Sequence, residues 1–304
     1  MRDTPTISIV TPSYNQAAYV GRTVRSVLLQ RYPRLEYVVM DGGSDDGSQD
    51  VLEAYRDRFA HYESKPDKGQ SDAVRRGFER TSGEIMAWLN SDDVLAPGAL
   101  DFVADYFARN PGVDAIYSNR VIIDDEDRVI GHWVLGEHDD WLMSHWDLIP
   151  QETCFWRRSL YEKAGPVDDS FRFALDYDLF TRFMEHGRME RVDRFLGAFR
   201  MHDVSKTMRQ LETVGMREIV RVHQARGLRF GAWARVRGPV FTKMAQLRAA
   251  WHVRRKIVKP GCLPGLGWDY DELWGGLLRE GALPPRASAE IEAKPETESA
   301  GAGA

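Results

Sequence analysis

The sequence predicts an α/β protein, in which a mostly parallel β-sheet is flanked by helices and followed by a basic helical extension. Three observations support this prediction. Apolar, β-branched runs alternate with stretches of helical spacing through about residue 120. Polar clusters follow three of the strand-like runs, at residues 12–16, 41–48 and 90–93. A block rich in Lys and Arg, mixed with bulky apolar residues, then begins near residue 209.

The predicted elements alternate along the chain as a parallel sheet requires. Short apolar runs predict strands at residues 6–11, 35–40, 61–64, 84–89 and 114–118. Apolar residues at helical spacing predict helices at residues 19–30, 71–80 and 97–108. Beyond these we predict a β-ribbon over 121–135, a helix over 176–186 and a strand over 194–201.

Composition excludes several classes of protein. Of the 304 residues, 43% are hydrophobic and 29% are charged, which supports a sizeable core and excludes a wholly disordered chain. No run approaches the ~18 uncharged apolar residues of a membrane-spanning helix. Cys154 and Cys262 are the only cysteines. A disulfide framework is therefore excluded, and a reducing, cytoplasmic compartment is expected.

The net charge of −5 conceals a division of the chain, because it is −11 over residues 1–208, +11 over 209–259 and −5 over 260–304. The change of sign suggests separate regions. The predicted divisions are an α/β domain over 1–208 with halves at about 1–120 and 121–208, a basic amphipathic extension over 209–280 and a disordered tail over 281–304.

The basic block leaves two interpretations open. Arg and Lys interleaved with Phe230, Trp233 and Trp251 suit a helix on an anionic membrane surface. Alternatively, its helices pack on the acidic domain that precedes them. Nucleic acid is not an expected partner, since the sequence has no reader motif and its first two-thirds are acidic.

The polar strand ends indicate the chemistry. Neither G-x-G-x-x-G nor G-x-x-x-x-G-K-[ST] occurs, which weighs against dehydrogenases and NTPases. Ligands of parallel sheets bind beyond the carboxyl ends of the strands. The carboxylates there, including Asp41, Asp92 and Asp93, suit Mn²⁺ or Mg²⁺, which would neutralise a diphosphate.

Six segments resemble, in order, the motifs of family 2 glycosyltransferases, whose Rossmann-like fold is called GT-A. They are TPSYN at 11–15, DGGSDDGS at 41–48, PDKGQSDA at 66–73, GEIMAWLNSDD at 83–93, QETCFWRRSLYEKAG at 151–165 and LDYDL at 175–179. The resemblance covers roughly residues 6–205. It implies an inverting, metal-dependent enzyme of polysaccharide or surface glycan biosynthesis, peripheral on the inner face of the cell membrane.

The resemblance also implies the substrates and the donor site. The donor would be a nucleotide-diphosphate sugar, with a UDP-sugar favoured, and the acceptor a glycan or polyprenyl-linked hydroxyl. Tyr14 would lie beside the base, and Asp41 would accept a hydrogen bond from it. Asp41 could instead cap its turn, and the segment around Lys68 could be a helix cap rather than a phosphate site. The residues assigned to the nucleotide sugar are Thr11, Pro12, Tyr14, Asn15, Asp41, Ser44, Asp45, Lys68, Gln70, Asn90 and Ser91.

The metal and the general base are implied in the same way. Asp92 would bind Mn²⁺ or Mg²⁺ from a motif that reads Asn-Ser-Asp instead of Asp-x-Asp, and His202 would complete the site. Asp176 would take the proton of the acceptor, although Leu175 stands where many relatives have Glu. Asp178 is expected to pair with Arg182 instead.

Four residues are assigned to the acceptor or the sugar: Asp93, Gln151, Trp156 and Arg157. Asp93 could instead cap the helix that starts near residue 97, and Trp156 could be a core aromatic. The departures at Asn90 and Leu175 leave open a non-catalytic, nucleotide-sugar-binding scaffold subunit. A sugar nucleotidyltransferase is disfavoured, because TPSYNQ lacks the glycine-rich basic loop of that class.

Overall fold

The structure is a computed structural model that describes residues 4–202 and 214–228, together with residues 240, 274 and 276–278. The strands of this part of the chain are β1 (Ile7–Ser13), β2 (Leu35–Asp41), β3 (His61–Ser64), β4 (Ile85–Trp88), β5 (Val94–Leu95), β6 (Ala115–Ile123), β7 (Val129–Trp133), β8 (Phe155–Arg157) and β9 (Met189–Arg200). Its α-helices are α1 (Val20–Leu28), α2 (Ser48–Glu53), α3 (Gln70–Phe78), α4 (Ala99–Arg109), α5 (Asp140–His145), α6 (Arg158–Ala164), α7 (Leu175–His186) and α8 (Met216–Ala225).

All these strands form one sheet in the order β3-β2-β1-β4-β8-β6-β9-β5, with β7 paired to β6. The first four strands are parallel, whereas β8 runs antiparallel between β4 and β6. The register aligns Ser13, Asp41 and Ser64, the last residues of β1, β2 and β3. The predicted polar clusters therefore do meet at one edge of the sheet.

Alternating side chains of the strands enter two cores, one on each face of the sheet. In β2, Tyr37 and Val39 face the core under α1 and α4, and Val38 and Met40 face the core under α3, α6 and α7. Gly77 brings α3 close to β1, since a Cβ there would collide with Val10. The predicted sheet covered on both sides is confirmed.

The later strands are longer than predicted. The strand predicted over 114–118 and the first half of the β-ribbon predicted over 121–135 form one strand, β6, which pairs with β7 as a hairpin. β9 begins at Met189, five residues before the predicted strand, and pairs with β6 along its length. The polar residues at its start, among them Glu190 and Arg191, concealed the strand from a pattern based on apolar runs.

The described residues of the C-terminal part of the chain contribute to the fold at two places. α8 lies against α7, and Trp274 and Leu278 complete a third core cluster beside β5 and β9. Trp274 Nε1 donates to the carbonyl of Leu95 at 3.2 Å. Most of the predicted basic block and the predicted tail over 281–304 lie outside the described residues. In the described stretches, no helix has the length and apolar character needed to cross a bilayer.

Candidate active site

The acidic turn after β2 is closed by the carboxylate of Asp41. Its Oδ2 accepts hydrogen bonds from the amides of Gly43 (3.1 Å) and Ser44 (3.0 Å), and from the Ser64 hydroxyl (2.6 Å). Its Oδ1 accepts the Ser44 hydroxyl at 2.5 Å. Asp41 therefore caps its turn, which is the alternative that the sequence left open, and its contact with a base remains a prediction.

Asn15 joins the loop after β1 to this turn. It adopts the left-handed conformation that asparagine tolerates, with φ at 51°. Its amide donates to Ser44 Oγ at 2.8 Å, and its side-chain oxygen accepts the amide of the exposed Asp45 at 3.0 Å. The neighbouring Tyr14 is 63% exposed. The loop thus presents an aromatic ring at the edge of the sheet.

Like Asp41 and Ser44, three further residues assigned to the nucleotide sugar are buried. Thr11 and Pro12 lie within β1, and the Thr11 hydroxyl is hydrogen-bonded to Tyr37 Oη at 3.0 Å. Ser91 is 5% exposed. All three lie at or next to the carboxyl ends of β1 and β4, and their contact with a nucleotide sugar remains a prediction.

The segment before α3 has no side-chain cap. Gly69, with φ at 113°, occupies the N-cap position, and the side chain of Lys68 beside it is exposed. The amide of Gly69 donates to Asp67 at 2.7 Å. Burial, and then the charges of Asp72 and Asp41, raise the pKa of Asp67. The start of α3 is thus open to the phosphate role assigned to it.

Asn90 is the centre of an amide network after β4. Its oxygen accepts from Gln70 at 2.7 Å, and its nitrogen donates to Gln151 Oε1 at 3.0 Å and to Asp93 at 3.3 Å. Gln151 in turn donates to the carbonyl of Trp88 at 2.7 Å. The predicted residues Gln70, Asn90 and Gln151 are therefore brought together, and each holds the others in place.

Asp92 and His202 face each other at the same edge. Asp92 Oδ2 lies 3.1 Å from His202 Nε2, with the side chains 20% and 3% exposed, and the His202 ring packs 4.6 Å from the Tyr19 ring. His202 Nδ1 is buried and has no hydrogen-bond partner among the described residues. An imidazole and a carboxylate are suitable ligands for Mn²⁺, so these residues fit a cation. Within the described part of the chain no cluster of three such groups occurs, and other ligands would have to come from substrate and water.

Arg200 holds the main chain around this pair, and the sequence analysis missed it. It is fully buried; its guanidinium donates to the carbonyl of Asp92 at 2.8 Å and lies 2.6 Å from Asp127. Its amide donates to Asp93 Oδ1 at 2.9 Å. The one available signal was an arginine in an apolar strand, two residues before His202.

Asp93 is a buried carboxylate with neither of its predicted roles. Burial, and then the charges of Asp92 and Glu152, raise the pKa of Asp93 well above its ordinary value. It does not cap α4, because that helix begins at Ala99 with Gly98 as the N-cap. At 1% exposure it is also hidden from an acceptor.

Asp176 lies in the first turn of α7, partly exposed, and accepts the amide of Tyr177 at 2.9 Å. It lies close enough to the exposed Asp147 to act on that carboxyl. Desolvation, and then the charge of Asp176, raise the pKa of Asp147, whereas Arg120 lowers it. The predicted pairing of Asp178 with Arg182 is confirmed at 2.8 Å.

Trp156 and Arg157 do not lie on the site. Trp156 is fully buried, with its ring 5.6 Å from that of Trp88, so the core alternative is the correct one. Arg157 pairs in register with Ile85, the first residue of β4, because β8 runs antiparallel. It is therefore at the opposite edge of the sheet, where it donates to the carbonyl of Val113 at 2.8 Å. Its assignment to the acceptor or sugar was wrong.

This sheet, with polar and aromatic residues beyond the carboxyl ends of β1, β2 and β4, has the architecture expected of a GT-A fold. The model of the family "Glycosyl transferase family 2" matches residues 8–162, which is half of the chain. The chain therefore belongs to glycosyl transferase family 2, as its motifs indicated, and it is an enzyme of that kind.

Relatives identified by sequence include other glycosyltransferases. The uncharacterized glycosyltransferase MT1564 of Mycobacterium tuberculosis is 30% identical over 187 residues, which cover 60% of this chain and 70% of the relative. The chondroitin synthase of Escherichia coli is 25% identical over 222 residues, which cover 70% of this chain but 31% of the synthase. The polypeptide of the chondroitin synthase is therefore much longer than this chain.

Solved structures confirm the fold. The mannosyltransferase PcManGT from Pyrobaculum calidifontis, in complex with GDP-Man and Mn²⁺, matches with a TM-score of 0.56 at 17% identity, over 91% of this chain and 85% of its own. Residues 1–349 of S. aureus TarS, in complex with UDP-GlcNAc, match with a TM-score of 0.55 at 16% identity, over 71% of this chain and 65% of that fragment. Similarity at these identities establishes the GT-A fold alone.

Proposed function

We propose that this chain is an inverting, cation-dependent glycosyltransferase that moves a sugar from a nucleotide-diphosphate sugar to an acceptor hydroxyl. The observation that carries the proposal is the contact between Asp92 and His202, which are distant in sequence yet 3.1 Å apart at the polar edge of the sheet. The sugar nucleotides bound by PcManGT and TarS, and the Mn²⁺ bound by PcManGT, support the same chemistry.

The reaction assigns a step to each part of the site. Tyr14 would stack on the base, and Asp92 with His202 would hold a cation, which when bound neutralises the diphosphate. Asp176 would accept the proton of the acceptor hydroxyl while that oxygen bonds to the anomeric carbon. The bond from this carbon to the diphosphate breaks on the opposite face, which inverts the anomeric centre.

The general base is tested with Asp176→Asn. We expect sugar transfer to fall by about 10²- to 10⁴-fold, while binding of the nucleotide sugar is unchanged. Asp105→Asn, which alters an exposed carboxylate of α4, is the control and should keep wild-type turnover. Transfer by Asp176→Asn at the wild-type rate would refute the assignment, and a wild type with no turnover would favour the scaffold interpretation.

For the substrates, we propose a UDP-sugar and a glycan or polyprenyl-linked acceptor, as in the synthesis of a polysaccharide. The complex of TarS with UDP-GlcNAc and the similarity to chondroitin synthase support this, whereas PcManGT binds GDP-Man. Thermal shifts with UDP-, GDP- and dTDP-sugars in the presence of Mn²⁺ would identify the donor, because a ligand of the folded state stabilises it by mass action. Stabilisation by GDP-sugars alone would contradict the proposal that the nucleobase of the donor is uracil.

We also propose that the enzyme acts at the inner face of the cell membrane and binds anionic lipid peripherally. In α8, Met216 and Val220 lie one turn apart and are 51% and 46% exposed, beside the exposed Arg217. Such a face suits the surface of an anionic membrane. The double variant Met216→Ser, Val220→Ser should sediment less with anionic vesicles than the wild type. Equal sedimentation of both proteins with anionic and neutral vesicles would contradict the proposal.

A further inference from the structure

The loop that leads into the helix of Asp176 is held by a carboxylate from the C-terminal region. Glu218 of α8 accepts the amides of Arg172 at 2.8 Å, Phe173 at 2.8 Å and Ala174 at 2.9 Å. Three consecutive N–H groups that converge on one carboxylate form an anion-binding nest. The N-cap residue of α7, Ala174, has no side-chain cap of its own, and its amide donates to Glu218.

Residues of α8 further along the chain contact residues further along α7. Val222 is fully buried, and His223 Nε2 lies 2.7 Å from the hydroxyl of Tyr177, the residue after Asp176. Near the other end of α7, Arg226 donates to Glu185 at 2.9 Å. Hence α8 is attached on both sides of Asp176 and at the far end of its helix.

The same loop also touches the donor side of the site, through different atoms. The Arg172 guanidinium donates to the carbonyl of Lys68, and the Phe171 carbonyl accepts the Ser71 hydroxyl. Glu218 uses only main-chain amides, which lie two to four residues before Asp176. Its loss should therefore displace the base more than the donor loop.

We propose that Glu218 is a positioning residue, whose carboxylate fixes the entry to α7 and so sets the place of Asp176 relative to the acceptor hydroxyl. The inference rests on the proposed function, because it gives Asp176 the role of base. The proposal also links the described part of the basic region to catalysis, because α8 has to be docked for Asp176 to be correctly placed.

The test compares Glu218→Gln and Glu218→Asp with the control Asp105→Asn. The first replaces one acceptor oxygen with a donor, the second withdraws the carboxylate by one methylene, and the control alters an exposed carboxylate of α4, outside the pair of α7 and α8. We expect both Glu218 variants to lower kcat by about 10- to 100-fold, because small misplacements of reacting groups have effects of this size. Nucleotide affinity should change less than about threefold in all three, and Asp105→Asn should keep its kcat.

Amide exchange supplies a readout that does not depend on activity. Peptides covering residues 172–178 should exchange faster in the Glu218 variants than in the wild type or in Asp105→Asn, at temperatures where all are folded. Unchanged kcat or unchanged exchange in the Glu218 variants would overturn the inference. If the wild type transfers no sugar from any donor, the proposed function fails instead, and the exchange experiment still decides whether Glu218 holds the loop.

Discussion

At the scale of single residues, the site is organised by hydrogen bonds among its own polar groups. The carboxylate of Asp41 accepts hydrogen bonds within its own turn, and the side-chain amide of Asn90 is hydrogen-bonded to Gln70 and Gln151. Arg200 is buried behind the metal-ligand candidates. Tyr14, Asp92 and Asp176 are exposed or partly exposed, and the hydrogen-bonded residues around them form a rigid support. Functional side chains need supporting residues of this kind to hold them in a productive geometry.

The pair Asp92 and His202 predicts a specific defect in metal binding. His202→Ala removes one of two protein ligands, so the Mn²⁺ concentration for half-maximal binding in the presence of UDP should rise by about tenfold or more. Electron paramagnetic resonance of free Mn²⁺ measures this without turnover. His186→Ala, at the end of α7, is the control. Unchanged Mn²⁺ affinity in His202→Ala would remove His202 from the site.

Arg200 predicts a large loss of stability. Arg200→Met would leave Asp127, which is fully buried, with one cation fewer, and such a loss costs about 3–5 kcal/mol of unfolding free energy. Arg128→Met breaks an exposed pair with Asp124 and should cost less than about 1 kcal/mol. Denaturant unfolding of the two variants compares them directly, and similar values would contradict the central place given to Arg200.

At the scale of elements, α8 explains part of the charge asymmetry of the sequence. Arg221 pairs with Asp168 at 3.2 Å, and Arg226 lies 2.9 Å from Glu185 and 3.7 Å from Asp178. These basic residues therefore pair with the acidic domain that precedes them. Over residues 214–228, packing on that domain is the interpretation that the structure supports, although the outer face of α8 is still open to a membrane.

The docking of α8 should depend on pH through His223. Burial, and then the charge of His145, lower the pKa of His223. Because the folded-state pKa lies below the unfolded value of about 6.5, the stabilisation is complete above pH 6.5 and is lost as the pH falls toward the folded value. The unfolding free energy of the wild type should therefore fall more between pH 7 and pH 5 than that of His223→Gln. Parallel curves for the two proteins would contradict this.

At the scale of the whole molecule, the sequence predicts what depends on local pattern and misses what depends on distant contacts. The parallel strands, the polar edge and the pair of Asp178 with Arg182 follow from spacing along the chain. Arg157 was wrongly assigned to the site because the order of the motifs does not reveal the direction of a strand, and β8 is antiparallel. Glu218 lies over 40 residues from the loop that it holds, so no local signal identified it.

The division of the chain into an α/β domain, an extension and a tail remains a prediction, and it can be tested at Trp274. This side chain is 7% exposed and packs with Val94 and Val121, next to the strand that follows Asp92. Trp274→Ala should cost about 3–5 kcal/mol of unfolding free energy, as for other buried aromatic residues. A chain that ends at residue 280 should unfold like the full chain if residues 281–304 are a tail. A small effect of Trp274→Ala, or destabilisation by removal of 281–304, would show that the boundary between core and tail is drawn in the wrong place.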